Sequence, residues 1–206
     1  MVLDANNHCC QRIVVTGGPG AGKTTAVDMF RRELGDHIVV VPESATMLYQ
    51  GGFPRVNESK AQKTVQRAIY FLQKNLEDTQ TDLYPGRVLL CDRGTLDGEA
   101  YWPGTSEEYF RYLGTHREAE FKRYDAVLFL ESAAVGGISI EGGNRFRVES
   151  VEQAARVDKK LKEIWQGHPH FAFVPHHPSF LTKILTGLES LRSILSKLAC
   201  GVGPGS

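Results

Sequence analysis

The sequence predicts a three-layer α/β/α sandwich built on a parallel β-sheet, and three observations carry that prediction. Five short apolar runs recur along the chain: Arg12–Thr16 (RIVVT), His37–Val41 (HIVVV), Arg87–Cys91 (RVLLC), Asp125–Leu130 (DAVLFL) and Phe171–Val174 (FAFV). Their apolar residues are continuous rather than alternating, which suits strands covered on both faces. Segments of helical periodicity separate them, and strand–helix alternation within one sheet implies right-handed crossovers. Third, a glycine-rich stretch, Gly17 to Gly22, joins the first strand to the first helix.

The first helix carries Ala26, Val27, Met29, Phe30 and Leu34 on its inner side. Between the second and third runs, Ala61, Val65, Ala68, Ile69, Leu72 and Leu76 trace one helix face, with Lys60, Lys63, Arg67 and Lys74 on a solvated basic face. A helix from Ser150 to Trp165 opens with Ser150 and Gln153, a capping-box pair, and turns Val151, Ala154, Ala155, Leu161, Ile164 and Trp165 inward. The last helix is expected to bury Leu181, Ile184, Leu185, Leu188, Leu191, Leu195 and Leu198, and to turn Lys183, Glu189, Arg192 and Lys197 to solvent.

Composition fits that architecture and narrows the function. With 206 residues, 41% hydrophobic and 23% charged, the chain is long enough for one sizeable core. The expected organisation is a single domain over 11–200, with a lid segment near 140–166 and a flexible tail over 201–206. Twenty-four basic and 24 acidic residues give no net charge, which excludes a dedicated nucleic-acid-coating protein. Cys9, Cys10, Cys91 and Cys200 have neither metal-type nor framework spacing. No window is apolar enough for a membrane span. The expectation is a cytoplasmic protein with reduced thiols.

Gly17-Gly18-Pro19-Gly20-Ala21-Gly22-Lys23-Thr24 matches GxxxxGK[ST] in full, between a strand and a helix as the mechanism requires. Glycines let the backbone wrap an anion so that successive N–H groups point inward, and the helix amino end adds its positive pole. Gly18, Pro19, Gly20, Ala21 and Gly22 form the cradle. Lys23 is placed to bridge the β- and γ-phosphates, Thr24 to ligate Mg²⁺, and Thr25 to reach the α-phosphate. The ligand class is a nucleoside triphosphate, ATP or GTP.

Two further strand ends carry acids. Asp92 closes the third run in the manner of a Walker B carboxylate and is the second candidate Mg²⁺ ligand, with Arg93 immediately after it. Glu43 follows the second strand, where it can accept a proton from a substrate hydroxyl. An ordinary helix-amino-terminal glutamate is the competing reading of Glu43.

The segments VVTGGPGAGKTT, VVPESA, CDRGTLDGEAYW, NRFRVES and the later LKEIW, HP and FVP resemble the NadR-like (ribosylnicotinamide-kinase-like) AAA domain family of P-loop NTPases. They also resemble the deoxynucleoside and thymidylate kinases, with DRG in place of DRY or ERS. The resemblance implies a small-molecule kinase core with a five-stranded sheet of order 2-3-1-4-5 and an arginine-bearing lid. Arg145 and Arg147, flanking Phe146 after a glycine turn, suit that lid and the charge of a transferring phosphoryl group.

Asp97, Glu99, Tyr101 and Trp102 place acids beside aromatics, a combination suited to a hydroxyl-bearing ring. His168, His170, His176 and His177 alternate with prolines in a pattern awkward for zinc, and His176 to Pro178 is expected beside the nucleotide base. The leading reading is a Mg²⁺-dependent phosphotransferase acting on a nucleoside-like hydroxyl acceptor. In it Lys23, Thr24 and Asp92 position the triphosphate and metal, Glu43 or Asp92 orients the acceptor, and Arg93, Arg145 and Arg147 stabilise developing charge. The alternative is a nucleotide-dependent switch, a slow ATPase or GTPase that binds a protein or lipid partner. A mechanical AAA+ ATPase fits the short chain poorly.

Overall fold

Branched residues at the centre of the chain's first run form β1 (Gln11–Thr16), and the same logic gives β2 (Ile38–Val41), β3 (Val88–Asp92), β4 (Ala126–Leu130) and β5 (Phe171–Val174). Each lies within one residue of the run expected for it. The computed structural model describes residues 11–137 and 150–201, with side chains through residue 198. The strands form one parallel sheet of order β2-β3-β1-β4-β5.

Register decides what meets at the sheet's carboxyl edge. Val15 pairs with Asp92, and Val41 with Cys91. The residues just beyond β1, β2 and β3 therefore emerge side by side: Gly17, Glu43 and Arg93. Gly17 needs to be glycine here, since a Cβ on it would stand 2.0 Å from the Leu130 carbonyl oxygen.

Eight helices among the described residues connect the strands: α1 (Lys23–Leu34), α2 (Ser44–Gln50), α3 (Ser59–Leu83), α4 (Asp97–Ala100), α5 (Ser106–Leu113), α6 (Arg117–Phe121), α7 (Val151–Trp165) and α8 (Phe180–Gly201). Alternate strand residues feed two cores. Ile13, Val15, Leu90, Leu128 and Leu130 pack against Val27 and Phe30 of α1 and Ile184, Leu188 and Leu191 of α8. Val14, Leu89, Cys91, Val127 and Phe129 pack on the other face against Leu161, Ile164 and Trp165 of α7. The three layers follow from that period-two division. The Ser150–Gln153 capping box is present, with both reciprocal bonds formed.

Three helix readings need correction. On α3 the fully buried positions include Gln73 and Glu77, not an apolar stripe alone. Glu77 is tolerated because Arg123 Nη2 donates to it at 2.7 Å and the Tyr124 hydroxyl at 2.8 Å. On α8, Leu181 and Leu185 are exposed and Lys183 is buried. The Lys183 ammonium donates to the carbonyls of Ala21 and Glu131, so two backbone acceptors compensate its burial. Arg145, Arg147, Cys9, Cys10 and the 202–206 tail lie outside the described residues. Among the described residues, no helix is long and apolar enough to cross a membrane.

Candidate active site

The Gly17–Thr24 loop is shaped by left-handed glycines: φ is +82° at Gly20 and +80° at Gly22, a region that side chains resist. No side chain caps α1, so its first N–H groups remain available to an anion. Lys23 is buried and its ammonium donates to the carbonyls of Gly17 (2.8 Å) and Gly18 (2.9 Å). Burial, with Arg93 nearby, brings the Lys23 pKa down to about 7. Thr25 and Gly20 line the same cavity.

Two contacts outside the motif hold this loop. Asp158, on α7, accepts the N–H of Gly18 at 2.7 Å and of Ser132 at 2.9 Å through one carboxylate oxygen. A Cβ on Gly18 would stand 2.6 Å from Asp158 Cβ, so the close approach needs glycine. The Lys183 bond to Ala21 ties α8 to the other side. Neither residue carried a sequence signal: each reads as the polar side of an amphipathic helix.

Thr24 Oγ1 donates to Asp92 Oδ2 at 2.7 Å, while Asp92 Oδ1 is buried with no hydrogen-bond partner. Burial, reinforced by the Glu43 charge, raises the Asp92 pKa. A hydroxyl beside a buried carboxylate with one unsatisfied oxygen fits a hard divalent cation completed by phosphate and water. Among the described residues no group of three or more His, Cys, Asp or Glu is placed to hold a metal ion.

Arg93 is the one non-glycine residue with positive φ (+78°) among the described residues. Its carbonyl accepts from Gln73 Nε2 at 3.2 Å, and its N–H donates to the Val15 carbonyl at 3.1 Å. That backbone aims the guanidinium between two acids: Nε donates to Glu43 Oε1, and Nη1 to Asp97 Oδ2 at 3.1 Å. Asp97 also accepts from Thr16 Oγ1 and from Trp165 Nε1, each at 2.8 Å. Burial alone would push Glu43 up, but the Arg93 and Lys23 charges hold its pKa down to about 2. Buried Arg93 stays charged: Tyr101, Glu43 and Asp97 raise its pKa against its own burial.

One cavity of about 620 Å³ joins these parts. Its lining includes Gly22, Lys23 and Thr24, with Phe180 close against the loop, where a Cβ on Gly22 would stand 2.4 Å from the ring. Glu43, Arg93 and Asp97 line the same cavity, together with Tyr49, Tyr70, Gln73 and Tyr101. The expected grouping of Asp97, Glu99, Tyr101 and Trp102 is divided: Asp97 and Tyr101 line this cavity, whereas Glu99 and Trp102 line another. The single turn of α4 points alternate side chains to opposite sides. His168 is buried, with Nε2 at 2.9 Å from the Tyr124 carbonyl, and His176 packs against Gly136.

This glycine loop, its lysine, and a strand-end acid at the edge of a 2-3-1-4-5 sheet define a P-loop NTPase-type enzyme that binds a nucleoside triphosphate. Residues 12–176 match the model of the AAA domain family, and the chain belongs to that family. No curated protein matches it. Among solved structures it is similar to a deoxyadenosine kinase from M. mycoides with bound dATP, with a TM-score of 0.62 and 17% identity over 88% of this chain and 99% of the other.

Proposed function

We propose that this protein is a Mg²⁺-dependent kinase that transfers the γ-phosphate of ATP, or alternatively GTP, to a hydroxyl of a nucleoside-like acceptor. The ribosylnicotinamide-kinase-like branch of its family is the expected affiliation. The observation that carries the proposal is the continuity of the 620 Å³ cavity from Lys23 and Thr24 to Glu43, Arg93 and Asp97. A triphosphate and an acceptor can share that chamber, and its volume falls within the usual range for small-molecule sites. The similarity to a deoxyadenosine kinase supports the same reading.

In this scheme Lys23 and the amino end of α1 hold the β- and γ-phosphates. Thr24 and Asp92 would hold one Mg²⁺, which supplies charge neutralisation at the phosphate oxygens. Arg93, fixed by Glu43 and Asp97, faces the reacting centre as a preorganised positive charge. Glu43 is ionised at neutral pH and accepts a hydrogen bond from the acceptor hydroxyl. Its pKa of about 2 makes it a weak base for an intact alcohol. Its task is therefore orientation, with proton uptake late, once bonding to phosphorus has acidified the hydroxyl. Arg145 and Arg147 are proposed to add charge from the segment that precedes α7.

The test is a γ-labelled ATP and GTP assay with Mg²⁺, with and without a pool of nucleosides. Label on a nucleoside supports the kinase and names its substrate. Label released only as slow inorganic phosphate, unchanged by the pool, refutes acceptor phosphorylation and leaves a nucleotide switch.

A further inference from the structure

The backbone N–H groups of the triphosphate loop divide into those already engaged and those left free. The Gly18 N–H is taken by Asp158, Pro19 has none, and the Ala21 N–H donates to the Gly18 carbonyl at 3.2 Å. Gly20 and Gly22 remain, and neither N–H has an acceptor among the described residues. Both glycines line the 620 Å³ cavity, at φ +82° and +80°. The carbonyl that precedes each of them is held by a buried side chain that does not line the cavity. Ser132 Oγ, just beyond β4, donates to the Pro19 carbonyl. Lys183 Nζ, on α8, donates to the Ala21 carbonyl at 2.7 Å and to the Glu131 carbonyl, next in the chain to Ser132.

We propose that Ser132 and Lys183 are positioning residues for the triphosphate, each aiming one N–H of the loop at it: Ser132 that of Gly20, Lys183 that of Gly22. A trans peptide points its carbonyl and its N–H in opposite directions, and the described chain has no cis bond. Fixing the Pro19 carbonyl on Ser132 therefore turns the Gly20 N–H away from Ser132. Fixing the Ala21 carbonyl on Lys183 turns the Gly22 N–H away from Lys183. Neither anchor lines the cavity and both glycines do, so the two free N–H groups face it. Left-handed glycines permit this orientation of the peptides, but they also leave the peptides free to rotate. Two side chains fixed at the end of β4 and on α8 remove that freedom before the anion arrives, so binding does not have to order the donors. The inference rests on the loop's holding a triphosphate and is independent of the acceptor.

Amide NMR of the ¹⁵N-glycine-labelled full chain reads the two N–H groups separately, with Gly20 and Gly22 assigned sequentially. The β,γ-imido analogues of ATP and GTP are titrated with Mg²⁺ into the wild type, Lys183→Met and Ser132→Ala. In the wild type at least one analogue is expected to move both signals downfield and saturably. Lys183→Met should lose the Gly22 shift and keep that of Gly20, and Ser132→Ala should do the reverse. Each variant should bind about 10-fold more weakly or worse, through the loss of one charge-assisted hydrogen bond. A merely structural role would not produce this residue-matched pattern. Both shifts retained in the folded variants, or both lost together in either one, overturn the proposal. Should Lys183→Met fail to fold, the Gly20-selective loss is required of Ser132→Ala alone, which removes a single hydroxyl. No response in the wild type overturns the triphosphate reading and this proposal with it, whereas unselective changes beside normal wild-type binding overturn this proposal only.

Discussion

Arg93 Nε donates to Glu43 Oε1 across the carboxyl edge of the sheet, from a backbone twisted to φ +78°. The two residues lie on adjacent strand ends, β3 and β2, and the pair is completed by Asp97 from α4. A left-handed arginine is costly, so the surrounding bonds from Val15 and Gln73 must hold it there.

That geometry separates two substitutions. Arg93→Gly and Arg93→Ala both remove the charge between Glu43 and Asp97, and each is expected to lower phosphoryl transfer by at least ~10²-fold. Only alanine retains the steric penalty of positive φ, so Arg93→Gly should be more stable than Arg93→Ala by about 1 kcal/mol. Urea unfolding of the two variants measures the difference. Equal stabilities would mean that the backbone relaxes when the side chain is lost.

Lys23→Ala should abolish turnover, by ~10²-fold or more, while leaving the fold intact. The lost ammonium bonds only loop carbonyls, and removing it also removes a buried charge. Turnover in the label assay and a far-UV spectrum together check both halves. Wild-type turnover would end the assignment of this loop.

Nucleotide binding should take up a proton near neutral pH. In the free protein burial depresses the Lys23 pKa to about 7, so part of the population is neutral at pH 7 to 8. A bound triphosphate favours the charged form and raises that pKa. The complex then holds more protons than the free protein, and affinity falls as pH rises through and above 7. Calorimetry in buffers of different ionisation enthalpy reads the uptake directly, and Lys23→Met should remove it.

Gly94 follows Arg93 and lies against α7. A Cβ there would stand 2.7 Å from Trp165 Cζ2 and 2.9 Å from Val14 Cγ2, both fully buried. Gly94→Ala is therefore expected to cost about 1–3 kcal/mol by overpacking. It should also disturb the Trp165–Asp97 bond, so thermal unfolding and transfer rate should fall together.

Asp158→Ala deprives the N–H groups of Gly18 and Ser132 of their shared acceptor. Each unsatisfied donor costs about 1–3 kcal/mol, and one of them belongs to the triphosphate loop. Weaker nucleotide binding, with a smaller loss in Asp158→Asn, is the expected pattern. Fluorescent nucleotide titration of both variants tests it.

The phosphate loop, five strands and the acids at their ends were legible in the sequence because each is a local pattern. Branched apolar runs specify buried strands, and glycine spacing specifies an anion cradle. Glu43, Asp92 and Arg93 were found by position, as polar residues ending apolar runs. Their partnership was not, since the Glu43–Arg93 contact spans 50 positions and depends on the register of β2 against β3.

Buried polar residues on helices were the main omission. Gln73, Asp158 and Lys183 sit where periodicity allows a solvent-facing side chain, and only their neighbours decide otherwise. Lys183 is buried because two carbonyls meet its ammonium, and Leu181 and Leu185 are left exposed on the same helix. The split of Asp97 and Tyr101 from Glu99 and Trp102 has the same origin. By itself the sequence determined a nucleoside-triphosphate loop on a parallel sheet, through spacing and side-chain type. Tertiary structure alone decided which charges face one another, because pairing and burial are set by residues distant in the chain.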